Sequence, residues 1–302
     1  MWFKNLAIYR LTETFTLTPV ELEQKLEEYA FRPCGSLDMS TLGWTPPMGG
    51  NSEQLVHAGN GFMMVCIKKQ EKVIPTPVIN EQTEEQVQLA EEQQGRKLRK
   101  KERDVIKDEV IHSLLPKAFT VSRKMYAYID PKGGWVVIDA STSNKAEELL
   151  SHLRQTLGSL PVEPPRTANS PAYIMTQWLI AQPPSDITIE NECELLKPEQ
   201  EGSLIRCKRQ DLSLPEIKNH LDNGKQVIKI ALTWADRMSF VLEENLAIKR
   251  LRFLELIQDQ AAEIKTDDQA EQFDVDFSIM SLELAAFLPR LLELFGGEQQ
   301  AT

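Results

Sequence analysis

Apolar residues recur along the chain in two periods, every second position in some runs and every third or fourth in others, which predicts strands interleaved with amphipathic helices. The opening run FKNLAIYRLT predicts a strand. TPVELEQKLEEYAF after it predicts a helix with Thr18 as N-cap, Pro19 in the first helical position and Glu21 in the third. Residues 35–51, rich in glycine and proline around PPMGG, predict a loop, and HAGNGFMMVCIKKQEKVIP returns to strand character. From Glu81 to Leu115 there is no proline and a single glycine, Gly95. That stretch predicts one long helix or a helix pair, on the order of 50 Å in length, closed by Pro116.

Two alternating runs flank DPKGG in KAFTVSRKMYAYIDPKGGWVVIDAS and predict a β-hairpin. SNKAEELLSHLRQTLG predicts a helix with Ser143 as N-cap and Gly158 as its stop. Beyond the proline-rich PVEPPRTANSP, AYIMTQWLIAQ predicts a short apolar helix, and SDITIENECELL and GSLIRCKRQDL predict strands. LPEIKNHLDNGK predicts a helix closed by Gly224, followed by strands in QVIKIALTW and MSFVLEENLAIKRLRF. FDVDFSIM is expected as a last strand and SLELAAFLPRLLELF as a C-terminal amphipathic helix.

The predicted class is therefore α+β, with mostly antiparallel strands and a long protruding helical segment. Residues 1–80 are expected to form an N-terminal α+β region, 81–165 the helical finger with its hairpin and helix, and 166–302 a C-terminal α+β region that carries dimer contacts. NLAIYRL at 5–11 returns as NLAIKRL at 245–251, a match too short to establish a duplication but compatible with equivalent edge strands.

Charge changes the picture at one place. The chain of 302 residues carries 45 Asp plus Glu against 34 Lys plus Arg, a formal charge of −11. Residues 96–107 nevertheless hold seven bases and two acids, a local +5 that leaves −16 for the remainder. Segregation of this kind points to an anionic partner. On one continuous helix, Arg96, Arg99, Lys100, Arg103 and Lys107 fall within an arc of about 100°, with Leu98 and Val105 opposite. With only two acids among the seven bases, neutralisation by charge pairs along that face is not expected.

Chemistry for catalysis is sparse. The chain lacks G-x-S-x-G, the P-loop, G-x-G-x-x-G and H-E-x-x-H, and its four histidines stand singly in sequence. Cys34, Cys66, Cys193 and Cys207 show neither a CxxC pair nor zinc-finger spacing, so they are expected as reduced thiols, with no metal and no cofactor. No apolar run reaches membrane-spanning length and the N-terminus lacks a secretory pattern, which predicts a cytoplasmic protein without a membrane partner. The acidic segment TDDQAEQFDVD, with Asp267, Asp268, Asp274 and Asp276, is the one stretch that suggests a Mg²⁺-dependent nuclease. Binding residues are better represented. Beyond the basic stripe, Lys117 and Phe119 follow the helix stop in LLPKAF, Lys208, Arg209 and Gln210 close a predicted strand, and Lys225 follows the DNG turn. Strand alternation by itself favours an inward-facing Phe119.

Four segments carry a resemblance: MWFKNLAIYRLT, GWTPPMG, LLPKAF and NLAIKRLRFLE, in this order and spacing. Together they resemble the RdgC recombination-associated proteins of bacteria, across essentially the whole chain. The resemblance implies a horseshoe-shaped subunit that closes, head to head and tail to tail, into a homodimeric ring with a basic interior. It further implies a nucleoid-associated, non-enzymatic protein that binds double-stranded DNA, and single-stranded DNA as well, with little sequence preference and restrains the RecA recombinase. The family's DNA-contacting positions fall on Arg96, Lys117, Phe119, Arg209, Gln210 and Lys225. Position 117 holds Lys where relatives can hold Arg, which keeps the charge and loses bidentate phosphate geometry. The resemblance makes Phe119 a gate or finger residue. With the neighbouring bases, the expected DNA-binding set is Arg96, Lys97, Lys100, Arg103, Lys117, Phe119, Lys208, Arg209, Gln210 and Lys225. A metal-dependent nuclease and a scaffold for an acidic protein partner are the competing expectations.

Overall fold

A computed structural model describes residues 1–198, 203–263 and 268–299. Among the described residues there are twelve β-strands and eight α-helices, and strand pairing is mostly antiparallel, as expected from the sequence, with one isolated parallel bridge between Ala30 and Trp44. They form two compact units. The larger comprises residues 1–25, 46–65 and 125–302, and the smaller comprises 26–45 and 66–124.

In the larger unit, β1 (Ala7–Leu11) pairs with β6 (Trp135–Ile138) on one side and β7 (Val162–Glu163) on the other. β6 also pairs with Ala127–Asp130 of β5 (Phe119–Asp130) across the expected DPKGG hairpin. There Gly134 sits at φ +74°, and the Gly133 amide donates to Asp130 Oδ1 at 2.7 Å. β3 (Val56–Gly59) and the first residues of β4 (Phe62–Val73) form a second hairpin through Asn60 and Gly61, both at positive φ. At α1 (Pro19–Glu27) the expected capping box is present. Thr18 N–H donates to Glu21 Oε2 at 2.8 Å, and Glu21 N–H donates to Thr18 Oγ1 at 3.3 Å.

The same unit holds a five-stranded sheet in the order β12-β11-β10-β8-β9, built from β8 (Ile187–Leu196), β9 (Leu204–Lys208), β10 (Gln226–Trp234), β11 (Met238–Glu243) and β12 (Ile248–Phe253). The two similar heptapeptides meet each other. Leu6 and Ile248 exchange backbone hydrogen bonds of 2.8 and 3.0 Å, so the segments lie antiparallel where β1 and the edge strand β12 approach. One face of this sheet is crossed by an alternating chain of ion pairs: Arg206 to Glu194 (3.2 Å), Glu194 to Lys229 (3.6 Å), Lys229 to Glu243 (3.1 Å) and Glu243 to Lys249 (3.9 Å). Cross-strand pairing of opposite charges lets that face stay wet.

The opposite face is apolar and packs on α5 (Pro171–Ile180) and α8 (Gln269–Leu294). α8 overturns the expectation of a strand in FDVDFSIM. Phe273, Val275, Phe277 and Ile279 alternate with a period of two, yet Phe277, Met280, Leu284, Phe287, Leu288 and Leu291 also follow the helical three-and-four spacing and are buried. The helical stripe is the longer one and wins, with Asp268 accepting from the Ala270 amide as N-cap. Phe287 meets Trp234 and Phe240, both at 5.1 Å between ring centroids, while Phe277 lies 6.1 Å from Tyr128 of β5. α4 (Ser143–Leu157) begins one residue differently from expectation. Thr142 is the N-cap, extended at φ −142°, and Ser143 is the first helical residue; Gly158 ends the helix at φ +81° as expected. α6 (Pro215–Asp222) ends at Asn223, and Gly224 follows it at φ +82°. α7 (Glu255–Glu263) completes the larger unit.

In the smaller unit the expected loop at 35–51 contains a strand, β2 (Ser40–Trp44), paired with Ile67–Glu71 of β4. Gly43 permits it: a Cβ there would stand 2.5 Å from Phe31 Cα, so only glycine lets residues 30–31 cross the strand. The long helical stretch is a pair, α2 (Thr76–Gln94) and α3 (Lys100–Leu114), broken where Gly95 adopts φ +62°.

Burial sets a pH dependence. His57, on β3 against Phe273 and Phe277, and His152, on α4, both have pKa values lowered by desolvation; Asp274, 3.2 Å from His57 Nε2, only partly opposes the effect. Their neutral forms stabilise the fold fully above the unfolded imidazole pKa, and that contribution fades as pH falls below it. The urea midpoint is expected to drop between about pH 7 and 5.5, and His152→Gln should flatten the drop. A midpoint that rises or stays level over that window refutes the assignment.

Candidate nucleic-acid interface

The expected DNA-binding residues divide between the two units. Arg96, Lys97, Lys100, Arg103, Lys117 and Phe119 lie in the smaller, and Lys208, Arg209, Gln210 and Lys225 in the larger.

In the smaller unit the break at Gly95 alters the basic stripe. Arg96, Lys97, Leu98 and Arg99 form a link between helices and are not part of α3, so the single helical face expected from sequence does not exist. Leu98 turns inward as expected, whereas Val105 is 56% exposed, against the expectation that it lies with Leu98 on an apolar face. Pairing is also more extensive than the local count of acids suggests. Arg96 makes a two-pronged bond to Glu102, with Nη1–Oε2 at 2.9 Å and Nη2–Oε1 at 2.6 Å. Arg103 lies 3.7 Å from Glu84 and 3.8 Å from Glu91, acids that α2 supplies from a distance in sequence. Lys97, Lys100, Lys101 and Lys107 remain exposed and have no ion pair among the described residues.

After α3 the chain makes a single 3₁₀ turn, Leu115–Lys117, and enters β5. Lys72 Nζ caps this corner by donating to the carbonyls of Leu115 at 2.8 Å and Ser36 at 2.5 Å. Lys117 is exposed, and Phe119 is 86% exposed, so the inward orientation favoured by strand alternation is wrong. All of residues 119–124 are exposed, and alternation places Phe119, Val121 and Arg123 on one face of β5. Arg123 and Lys124 also carry no ion pair among the described residues and were missing from the sequence-selected set. The cluster of bases in FTVSRK was the available signal.

In the larger unit, Lys208 closes β9, 4.0 Å from Glu192, and Arg209 follows in the left-handed region at φ +53°. Gln210 donates its amide N–H to the Asn191 carbonyl at 3.3 Å and its side chain to Glu216 at 2.9 Å. Lys225 stands apart. Half-buried, it donates to the Ser203 carbonyl at 3.0 Å and to the Ser203 hydroxyl, beside the start of β9 and roughly 17 Å of strand from Lys208. The structure thus groups Lys208, Arg209 and Gln210 and separates Lys225 from them.

The aspartates of the alternative metal site are otherwise engaged. Asp268 caps α8, Asp274 faces His57 and Asp276 pairs with the N-terminal ammonium of Met1. Asp267 lies outside the described residues. Among the described residues no three His, Cys, Asp or Glu side chains are grouped to hold a metal ion. Among the same residues no helix is long and apolar enough to cross a membrane.

The exposure of Phe119 has a measurable consequence. Phe119→Ala should shift unfolding free energy by no more than about 0.5 kcal/mol, the range of ordinary surface substitutions. A loss near the ~3 to 5 kcal/mol of a buried phenylalanine in urea denaturation would return the ring to a core.

Residues 1–298 match the family described as "Putative exonuclease, RdgC". Over its full length the chain is 44% identical to a protein of Aeromonas hydrophila named "Recombination-associated protein RdgC", covering 100% of both. Proteins of the same name from Psychromonas ingrahamii and Yersinia pestis are 45% and 41% identical, each with 99% of both chains covered. The family description points to an exonuclease and the relatives' names to recombination, but the match in either case spans the two units described above. This chain belongs to the RdgC family of recombination-associated proteins.

Proposed function

We propose that this protein binds duplex DNA with little sequence preference, as a homodimer that closes around the duplex, and that by occupying DNA it restrains the RecA recombinase. The observation that carries the reading is the concentration, within residues 97–124, of exposed cations that have no ion pair among the described residues, Lys97, Lys100, Lys101, Lys107, Lys117, Arg123 and Lys124, in a chain whose net charge is −11. Lysine ammonium groups gain by releasing counterions condensed on nucleic acid, an interaction blind to base sequence. Acidity elsewhere favours release of other polyanions and confines the attraction to one surface.

Phe119 fits the same reading. An aromatic ring held in water at a strand start gains on meeting either a second subunit or a base, and here it acts as the gate residue. Lys208, Arg209, Gln210 and Lys225 supply a second, weaker set of contacts, since three of the four already have protein partners. Single-stranded DNA is bound through the same cations with a shallower salt dependence. The protein then resides on the nucleoid, in the cytoplasm.

An exonuclease is the second reading, favoured by the family description. Incubation with end-labelled duplex and Mg²⁺ separates the two: a mobility shift with intact ends supports binding alone, and shortening of the strand supports the nuclease. An acidic protein partner would leave bulk DNA unable to compete.

Three outcomes are expected. Affinity for two unrelated duplexes should fall alike with salt, and Lys117→Gln or Lys97→Gln should each lower the logarithmic slope by about 0.9. Affinity that ignores salt would remove these lysines from the interface. Light scattering at micromolar concentration should give a dimer mass. Phe119→Ala should keep the fold while weakening duplex binding or dimerisation, and a monomer with undiminished affinity would contradict the closed dimer.

A further inference from the structure

Within the most basic stretch of the chain, one acid is held by several of its neighbours at once. Glu102 lies in the first turn of α3. Its carboxylate accepts both terminal guanidinium nitrogens of Arg96, at 2.6 and 2.9 Å, and the backbone N–H of Arg99 at 2.8 Å. These bonds, the Arg96 pair first, hold its pKa down to about 2, so it is ionised at every physiological pH. The five residues from Gly95 to Arg99 are thereby closed into a loop with fixed ends. Gly95 supplies the left-handed turn, the backbone N–H of Leu98 donates to Glu91 at 2.9 Å, and Glu102 ties Arg96 to the start of α3.

The bases left over point outward. Lys97, Lys100 and Lys101 are exposed and have no ion pair among the described residues. Without a tie, three lysines and two arginines in six consecutive residues repel one another and spread the link and the first turn of α3.

We propose that Glu102 is a positioning residue for polyanion binding: by clasping Arg96 it presents Lys97, Lys100 and Lys101 to the DNA backbone, so this acid raises affinity. The proposal rests on the DNA-binding reading above. Arg96 then acts chiefly through Glu102. The opposite role is equally definite. If Glu102 merely occupied the place of a phosphate on Arg96, it would compete with DNA, and weakening it would tighten binding.

Charge-preserving variants distinguish the two. Glu102→Asp keeps the net charge but withdraws the carboxylate by one methylene, and Arg96→Lys keeps the charge but removes the fork. Binding of full-length protein to a labelled duplex is measured across a salt titration, with hydrogen exchange of the amides at 96–103 followed in parallel. Glu102→Asp is expected to lower affinity several-fold at physiological salt and to reduce the logarithmic salt slope by about 0.9 for each phosphate no longer neutralised. Arg96→Lys should do the same, and the double variant should be no worse than either single one, because both break one clasp. The amides at 96–103 should exchange faster in each, while the thermal midpoint stays close to the parent's.

Equal or tighter binding by Glu102→Asp overturns the proposal, as does unchanged exchange. A loss of stability with an unaltered salt slope assigns Glu102 to α3 alone and also overturns it. If the parent fails to shift duplex at low salt, the DNA-binding reading fails and the role of Glu102 in it falls too; the exchange data then still report whether the clasp exists.

Discussion

Burial of the apolar stripe of α8 is the interaction on which the larger unit depends. At its N-terminal half Phe277 reaches Tyr128, and Met280 Sδ accepts the Phe3 N–H at 3.2 Å; at its C-terminal half Phe287 fills the space between Trp234 and Phe240. A single helix thus covers strands from both ends of the sequence, and each such phenylalanine is worth about 3 to 5 kcal/mol against alanine. Pro289 interrupts the ladder of this helix without ending it. It lies on the more exposed side, where water can take the freed carbonyl. The chain beyond α8 folds back through Gly296 and Gly297, and the backbone of this turn meets residues 166–169.

Charge is handled in two different ways. Across the five-stranded sheet it is cancelled locally, with acids on β8 and β11 alternating with bases on β9, β10 and β12. Such exposed pairs contribute little stability each, but with two acids set among three bases they leave a single unit of net charge across the chain of pairs. Around the α2–α3 link and the start of β5, cancellation is incomplete. Glu84, Glu91 and Glu102 pair with arginines, and Lys97, Lys100, Lys101 and Lys107 stay exposed. That division suits the proposed DNA-binding role, in which the surface holds a polyanion and still releases it. Arginine forks serve as internal fasteners and mobile ammonium groups face the solvent.

Much of the fold was legible because local chemistry and global packing agree. The Thr18–Glu21 box, the DPKGG hairpin and the stops at Gly158 and Gly224 are set by residues within a few positions of one another. FDVDFSIM failed for a definite reason: two periods fit the same eight residues, and only the surfaces on which they pack select the helical one. β2 was hidden among loop residues because its glycine serves a chain crossing rather than a turn.

For the candidate interface, the sequence alone determined the inventory: a net acidic chain, a concentrated basic stretch, an aromatic after LLPKAF, and segments specific enough to resemble one family. Composition and local spacing suffice for these, because they are properties of neighbours along the chain. Only the tertiary structure decided which charges are already spent. Glu84 and Glu91 reach Arg103 because α2 folds back along α3, and Gly95 removes Arg96 from the helical stripe and turns it onto Glu102. It likewise decided that Phe119 faces water, since a strand's alternation defines two faces but not which of them is covered. Ion pairing and solvent exposure depend on what the rest of the chain brings near, and that is settled by packing.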